Sequence, residues 1–173
     1  MSLTPGQADE SYYRKNLPSI PLGLETRTAV RNVVVDASVG VKWYLPEIHS
    51  NQALLLLDDA FHRHVPAHFA VEIASAVWKR VVTRSEIEPE EGQAILDAIG
   101  VAPLVTHATA DLLDATFALA VGTRRSVYDC LYLALAIHLQ CQVVTVDEKF
   151  YHAIKSGPFA IHIVSLNELF PTP

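Results

Sequence analysis

Short apolar runs alternate with longer amphipathic stretches from residue 32 onwards. Val33-Val34-Val35 is a β-branched run that ends at Asp36, and a similar run, from Val143 to Val146, ends at Asp147. Apolar runs of this length without polar alternation are typical of buried parallel strands. The pattern predicts strands at residues 33–35, 101–105, 143–146 and 161–164.

Between these runs, apolar residues recur at helical spacing. The stretch from Ser126 to Gln140 is apolar nearly all round, which is typical of a buried helix. The predicted helices are residues 38–44, 49–63, 68–84, 88–99, 109–121, 126–140 and 149–155. Strands that alternate with helices indicate an α/β fold, with a parallel sheet covered on both faces.

Composition narrows the class of protein. The chain has 173 residues, of which 50% are hydrophobic and 18% charged, so it is not intrinsically disordered. No apolar run reaches the roughly 18 residues of a membrane span, so we expect no membrane partner. Two cysteines in apolar surroundings, and an N-terminus without a signal-peptide pattern, favour a cytoplasmic location. Residues 1–31 carry three prolines without apolar periodicity and are expected to form a flexible N-terminal extension before a domain at 32–173.

The net charge of −6 argues against binding of nucleic acid through a broad basic surface. It leaves open a nucleic-acid enzyme whose acidic site holds a metal ion. The two cysteines, Cys130 and Cys141, lie in apolar segments and are expected to be reduced core residues.

Three acidic residues occupy positions where a site can form. Asp36 and Asp147 each end a predicted strand, and the carboxyl ends of parallel strands share one edge of a sheet. Asp129 lies in the first turn of the buried helix, where an unpaired charge is costly. Each has an alternative interpretation as a helix cap, and Ser126 with Asp129 fits a capping box.

Glu72 is the fourth acidic candidate. It lies on a polar stripe of the 68–84 helix with His68, Ser75, Lys79 and Thr83, so a solvated helix face is an equal alternative. Four carboxylates brought together would repel one another unless a cation neutralised them. Carboxylate oxygens favour Mg²⁺ or Mn²⁺, and such ions promote hydrolysis of phosphodiesters.

At this point the sequence resembles the PIN-domain family, and in particular its bacterial VapC-type toxins. The resemblance is carried, in the family's order, by the segments Val33-Val34-Val35-Asp36-Ala37-Ser38-Val39, Val41-Lys42-Trp43-Tyr44-Leu45-Pro46-Glu47, Pro66-x5-Glu72, Ser126-Val127-Tyr128-Asp129-Cys130-Leu131 and Thr145-Val146-Asp147-Glu148-Lys149-Phe150. It implies a PIN-like three-layer α/β/α sandwich with a central parallel sheet.

The resemblance also implies an endoribonuclease that depends on Mg²⁺ or Mn²⁺. The family's catalytic and metal-binding acids would be Asp36, Glu72, Asp129 and Asp147, with the hydroxyls of Ser38 and Thr145 beside them. A cognate antitoxin and a homodimer are further implications. The RNA target, whether tRNA, rRNA or mRNA, stays open.

Contacts with RNA require basic residues despite the acidic total. Arg124 and Arg125, just before the 126–140 helix, are the first candidates for binding phosphates. A non-catalytic RNA-binding or regulatory module on the same fold is the main alternative. A phosphatase of the haloacid dehalogenase type would need a second aspartate at position 38, where this chain has serine.

Overall fold

The computed structural model describes residues 30–171, and almost all of the extension predicted for residues 1–31 lies outside them. Within that part, five strands form one sheet with the order β3-β2-β1-β4-β5, and every neighbouring pair is parallel. The strands are β1 (Arg31–Val35), β2 (Phe61–Pro66), β3 (Val105–His107), β4 (Gln142–Thr145) and β5 (Ile163–Ser165).

Helices flank the sheet, and the predicted α/β sandwich with a parallel sheet is confirmed. The α-helices are α1 (Ala37–Gly40), α2 (Ser50–Leu55), α3 (Phe69–Trp78), α4 (Pro89–Gly100), α5 (Leu113–Thr123), α6 (Val127–His138), α7 (Glu148–Lys155) and α8 (Leu166–Leu169). Short 3₁₀ turns lie at Val41–Trp43, Ala110–Leu112 and Ala160–His162, and a π-helical turn at Lys79–Thr83 extends α3.

The core lies between the sheet and α6. Val33, Val34 and Val35 of β1 are fully buried, and eight consecutive residues of α6, Cys130–Ile137, are buried as well. α6 packs against β1, β2 and β4. The apolar pattern of both segments therefore predicted their burial, and the two segments place Asp36 and Asp129 at their ends.

The helix predicted at 49–63 is wrong in its second half. The helix α2 ends at Leu55, and Phe61–Pro66 forms β2 in the middle of the sheet. The sequence pattern did not predict this strand because it contains a charged residue, Arg63. The Arg63 guanidinium is nevertheless buried, and it donates to the carbonyls of Leu56 and Asp58 at 2.8 and 3.0 Å. A charged residue satisfied by backbone carbonyls breaks the apolar run by which a buried strand is identified.

Two further predictions concern membranes and thiols. Among residues 30–171 no helix is long and apolar enough to cross a bilayer.

Both cysteines are free, and burial raises the pKa of the Cys130 thiol to about 11 and that of Cys141 to about 12. Thiols with such pKa values are unreactive core groups near neutral pH.

Candidate active site

Asp36 lies at the carboxyl end of β1 and caps the N-terminus of α1. Its carboxylate accepts hydrogen bonds from the Ser38 hydroxyl at 2.7 Å, the Ser38 amide at 3.3 Å and the Thr145 hydroxyl at 2.5 Å. Thr145 is the last residue of β4, the neighbouring strand, and is fully buried. Adjacent strand ends thus hold the two predicted hydroxyl residues against Asp36.

Burial dominates the electrostatics of Asp36. It raises the pKa of this carboxyl from 3.8 to about 6, although the hydrogen bonds from Thr145 and Ser38 lower it, and the nearby charge of Glu72 raises it further. A desolvated carboxylate beside a second acid is poised to bind a cation, because a cation favours its ionised form.

Glu72 lies in the first turn of α3, and the opposite helix α6 holds its carboxylate. The Tyr132 hydroxyl donates to Glu72 Oε2 at 2.5 Å, and His68 Nε2 lies 3.3 Å from the same oxygen. Burial alone would raise the pKa of Glu72, but His68 and Tyr132 more than offset it and lower that pKa.

The Tyr132 hydroxyl connects Glu72 with the start of α1, because it also hydrogen-bonds the backbone of Ala37, the residue after Asp36. Burial first, and then the charges of Asp36 and Glu72, raise the pKa of the Tyr132 hydroxyl, so this group stays protonated and donates. The Tyr132 side chain is only 1% exposed. Glu72 is therefore turned towards the end of β1, which favours the site interpretation over a solvated helix face.

Asp147 lies next to Asp36 through a shared hydroxyl. Its amide donates to Thr145 Oγ1 at 3.0 Å, and its Oδ1 accepts from the Phe150 amide at 2.8 Å, which caps α7. The capping prediction is confirmed for both strand-end aspartates, since Asp36 caps α1 in the same manner. Capping and a role in the site are compatible, because one oxygen of Asp147 is engaged by the cap.

Asp129 lies in the first turn of α6, where the Ser126 hydroxyl accepts from its amide at 3.0 Å, as the capping pattern predicted. Its carboxylate lies 3.6 Å from Arg125 Nη2. In the part of the chain that the structure describes, no hydrogen bond or ion pair joins it to Asp36, Glu72 or Asp147.

The donor set can be compared with the ion that the resemblance implies. Within residues 30–171 no three His, Cys, Asp or Glu side chains form a ready-made metal cage. Glu72 is near enough to Asp36 for its charge to raise the pKa of that carboxyl. Mg²⁺ typically takes one or two carboxylates, with waters and substrate phosphate completing its shell. The hard oxygen donors of Asp36 and Glu72 therefore fit Mg²⁺ or Mn²⁺.

Sequence reasoning did not identify His68 and Tyr132 as residues of the site. His68 precedes Glu72 by four residues, a spacing that places both on one helix face, and its ring packs on Tyr132 with centroids 5.0 Å apart. Tyr132 follows Asp129 by three residues on α6. The spacing of both residues relative to the predicted acids was the available signal.

The two candidate arginines differ in their surroundings. Arg124 is exposed and closes α5 with a left-handed backbone at φ 54°. Arg125 is partly buried against Asp129. Of the two, the Arg124 side chain is the more accessible to a phosphate.

Comparison with known proteins agrees with this geometry. The PIN domain model matches residues 33–155. The chain is 32% identical over 119 residues to Ribonuclease VapC3 of Pyrobaculum aerophilum, covering 68% of this chain and 90% of that protein. Its fold is similar to the crystal structure of PAE2754 from Pyrobaculum aerophilum, with a TM-score of 0.59, 18% identity, and coverage of 81% of this chain and 87% of the other. The chain thus belongs to the PIN-domain family.

Proposed function

We propose that this protein is a metal-dependent endoribonuclease that hydrolyses RNA phosphodiester bonds, and that it is the toxin of a type II toxin–antitoxin pair. The observation that carries the proposal is the Tyr132 hydroxyl, which hydrogen-bonds both Glu72 and the backbone of Ala37, the residue next to Asp36, at the carboxyl end of β1. The similarity to Ribonuclease VapC3 supports the choice of RNA as substrate.

Asp36 and Glu72 would hold Mg²⁺ or Mn²⁺, with Asp147 and Asp129 on neighbouring elements as further acids of the site. When bound, such an ion acidifies an attacking water and offsets the negative charge that develops on the phosphate. The protein's part is positioning: Ser38 and Thr145 orient Asp36, and Tyr132 orients Glu72.

Asp129 and the two arginines are assigned roles around the phosphate. Asp129 would orient the attacking water, because its carboxylate lies at the exposed start of α6. Arg124, and to a lesser degree Arg125, would contact RNA phosphates, since cations near the site offset the acidic total charge.

The proposal includes protein partners and a location. A cognate antitoxin would cover the acidic site, and two copies of the chain would form a homodimer in the cytoplasm. An exposed apolar stripe on α5 supports the dimer, because Leu113, Phe117 and Val121 recur every four residues and are 50%, 66% and 50% exposed. Size-exclusion chromatography with light scattering tests this, and a monomer would contradict it.

A non-catalytic RNA-binding module remains the second candidate. It would be favoured if Glu72 pointed away from the other acids. The hydrogen bond from Tyr132 instead turns Glu72 towards Asp36, and this supports catalysis.

The test is cleavage of total tRNA, and then of rRNA, by purified antitoxin-free protein with Mg²⁺, with Mn²⁺ and with EDTA. Asp36→Asn is the inactive variant, and Asp97→Asn, an exposed position on α4, is the matched control. We expect metal-dependent cleavage that Asp36→Asn abolishes and Asp97→Asn retains. Intact RNA in every arm, with RNA binding retained, would favour the binding module.

A further inference from the structure

A cavity of about 430 Å³, lined by charged and apolar side chains, opens beside the candidate active site. Glu72 forms its wall on the side of the acids, and Tyr128 at the start of α6 forms another part of the wall. Lys79, Arg80, Arg84 and Glu47 supply the other charged groups of the lining, and Val71, Ser75 and Ala76 of α3 complete it. The volume lies within the range of about 300–1,000 Å³ that is usual for small-ligand sites, so one nucleotide can enter.

An ion-pair network neutralises one side of the cavity. Arg80 forms ion pairs with both Glu47 and Glu86, and Lys42 donates to Glu47 at 2.7 Å. Burial raises the pKa of Glu47, but Lys42 and Arg80 outweigh it and lower that pKa, so this acid stays ionised and paired. Glu47 and Arg80 are therefore already paired, and their charges are not free to bind a ligand.

One cation of the cavity, Lys79, is unpaired among the described residues, and a second, Arg84, is held only by a surface ion pair. Among residues 30–171, no ion pair or hydrogen bond engages the Lys79 ammonium, and Arg84 is 55% exposed and 3.7 Å from Glu86. The π-helical turn brings the two together, since the Arg84 amide donates to the Lys79 carbonyl at 3.0 Å, five residues back. Such turns are frequent at functional sites.

Tyr128 presents an aromatic surface on the same cavity. Its side chain is 61% exposed, and its ring packs against His68 with centroids 5.8 Å apart. His68 in turn contacts Glu72, so the ring is held next to the acids and still has a face open to solvent.

We propose that this cavity binds one nucleotide of single-stranded RNA beside the phosphate that is cleaved, with its base stacked on Tyr128 and its phosphate between Lys79 and Arg84. The inference rests on the proposed ribonuclease function, because Glu72 is shared by the cavity and the acidic site. Aromatic rings combined with basic side chains are the usual means of holding a single strand. An acidic peptide would use the two cations and leave the exposed ring without a role.

The test measures RNA binding separately from hydrolysis. Fluorescence anisotropy of a labelled oligoadenylate of about ten nucleotides is recorded with Mg²⁺ in an Asp36→Asn background, which blocks cleavage. We expect Tyr128→Ala to weaken binding roughly tenfold and Tyr128→Phe, which keeps the ring, to leave it unchanged. Lys79→Gln should reduce the slope of log affinity against log salt by about 0.7. Arg31→Gln is the charge control and should leave the slope unchanged, because Arg31 lies at the amino end of β1 and the acids lie at the carboxyl ends of the strands.

The outcomes separate the two proposals. Cleavage by the otherwise wild-type protein, together with unchanged binding by folded Tyr128→Ala, would overturn the nucleotide site and leave the nuclease intact. Weaker binding by Tyr128→Ala without any cleavage would support the nucleotide site and contradict catalysis. If both variants retain RNA affinity and the wild-type salt slope, the cavity does not hold the strand and the inference is wrong. Melting curves establish that each variant is folded.

Discussion

The Tyr132 hydroxyl donates a 2.5 Å hydrogen bond to Glu72 across the gap between α6 and α3. The tyrosine ring is buried in the core, whereas a third of the glutamate side chain is exposed. The bond therefore anchors a partly exposed acidic side chain to the buried helix α6. It orients the Glu72 carboxylate through a residue that is not itself one of the four candidate acids.

Tyr132→Phe removes that bond and the hydrogen bond that the hydroxyl makes with the backbone of Ala37, and keeps the ring. The Glu72 carboxylate loses a donor but can recover water at its exposed side, so we expect a loss of about 1 kcal/mol in the free energy of unfolding. Cleavage should fall by roughly tenfold or more, because small misplacements of catalytic groups are costly. Urea denaturation and initial rates of RNA cleavage measure the two effects.

Tyr151→Phe is the matched control, because Tyr151 donates to Glu168 at 3.0 Å at the surface. It should change neither stability nor cleavage by a measurable amount. Equal losses of cleavage in the two variants would show that the bond between Tyr132 and Glu72 has no special role in orienting the site.

The fold was accessible from sequence wherever burial was uninterrupted. Val33-Val34-Val35 is wholly apolar and the 126–140 segment is nearly so, and the three valines and Cys130–Ile137 are in the core as predicted. β2 was missed because Arg63 lies in an interior strand, where backbone carbonyls satisfy its guanidinium: those of Leu56 and Asp58 nearby in the chain, and that of Pro103 at 3.3 Å. Such pairing leaves no periodic signal along the chain.

The site was predictable only in part, for a related reason. Strand ends place Asp36 and Asp147, and their hydroxyl neighbours follow from the same strands. The orientation of Glu72 depends on Tyr132, sixty residues away along the chain. Helical spacing alone leaves Glu72 equally compatible with a surface position and with the site, and only the hydrogen bond from Tyr132 on α6 distinguishes the two.

Metal binding should be visible as stabilisation. Ionised Asp36 is costly to bury, so without metal at pH 7 we expect Asp36→Asn to unfold less readily than wild type, by on the order of 1–3 kcal/mol. Saturating Mg²⁺ should raise the melting temperature of wild type, because a ligand of the native state stabilises it. Differential scanning fluorimetry with and without Mg²⁺ tests both parts, and an equal Mg²⁺ response in Asp36→Asn would contradict Asp36 as a ligand.

Asp129→Asn separates a catalytic role from capping. The cap uses the Asp129 amide and the Ser126 hydroxyl, both of which the substitution preserves, so the melting temperature should change by at most a few degrees. Cleavage should fall by about a hundredfold or more if the carboxylate orients water. Near-normal cleavage by the folded variant would exclude that role.

Removal of Arg124 and Arg125 together tests whether these side chains bind phosphates. The double substitution to glutamine should reduce the slope of log affinity against log salt by about 0.7 for each phosphate of single-stranded RNA that is no longer neutralised. Most of the change should come from Arg124, because Arg125 is paired with Asp129. Binding isotherms at several salt concentrations decide, and an unchanged slope would rule out both arginines as phosphate ligands.

A pair of histidines joins β2 to the edge strand β3. His64 Nδ1 of β2 lies 2.9 Å from His107 Nε2 of β3, and His64 Nε2 lies 3.1 Å from Asn32 Oδ1 of β1. Burial, and then the proximity of His107 and His62, lower the pKa of His64 to about 4. Burial and His138 on α6 lower the pKa of His107 as well.

These lowered pKa values make the stability of the fold sensitive to acid. Below pH 6.5 the unfolded chain binds protons on His64 and His107, whereas the folded state keeps both rings neutral to lower pH. The free energy of unfolding therefore decreases as the pH falls from about 6.5 towards 4. Between pH 7 and pH 5 we expect His64 to account for about 1–2 kcal/mol of this loss, discounted for its partial exposure. Urea denaturation at both pH values, for wild type and His64→Gln, isolates that share, with the exposed His152→Gln as the control. A pH response in His64→Gln as steep as that of wild type would show that the histidine pair does not carry it.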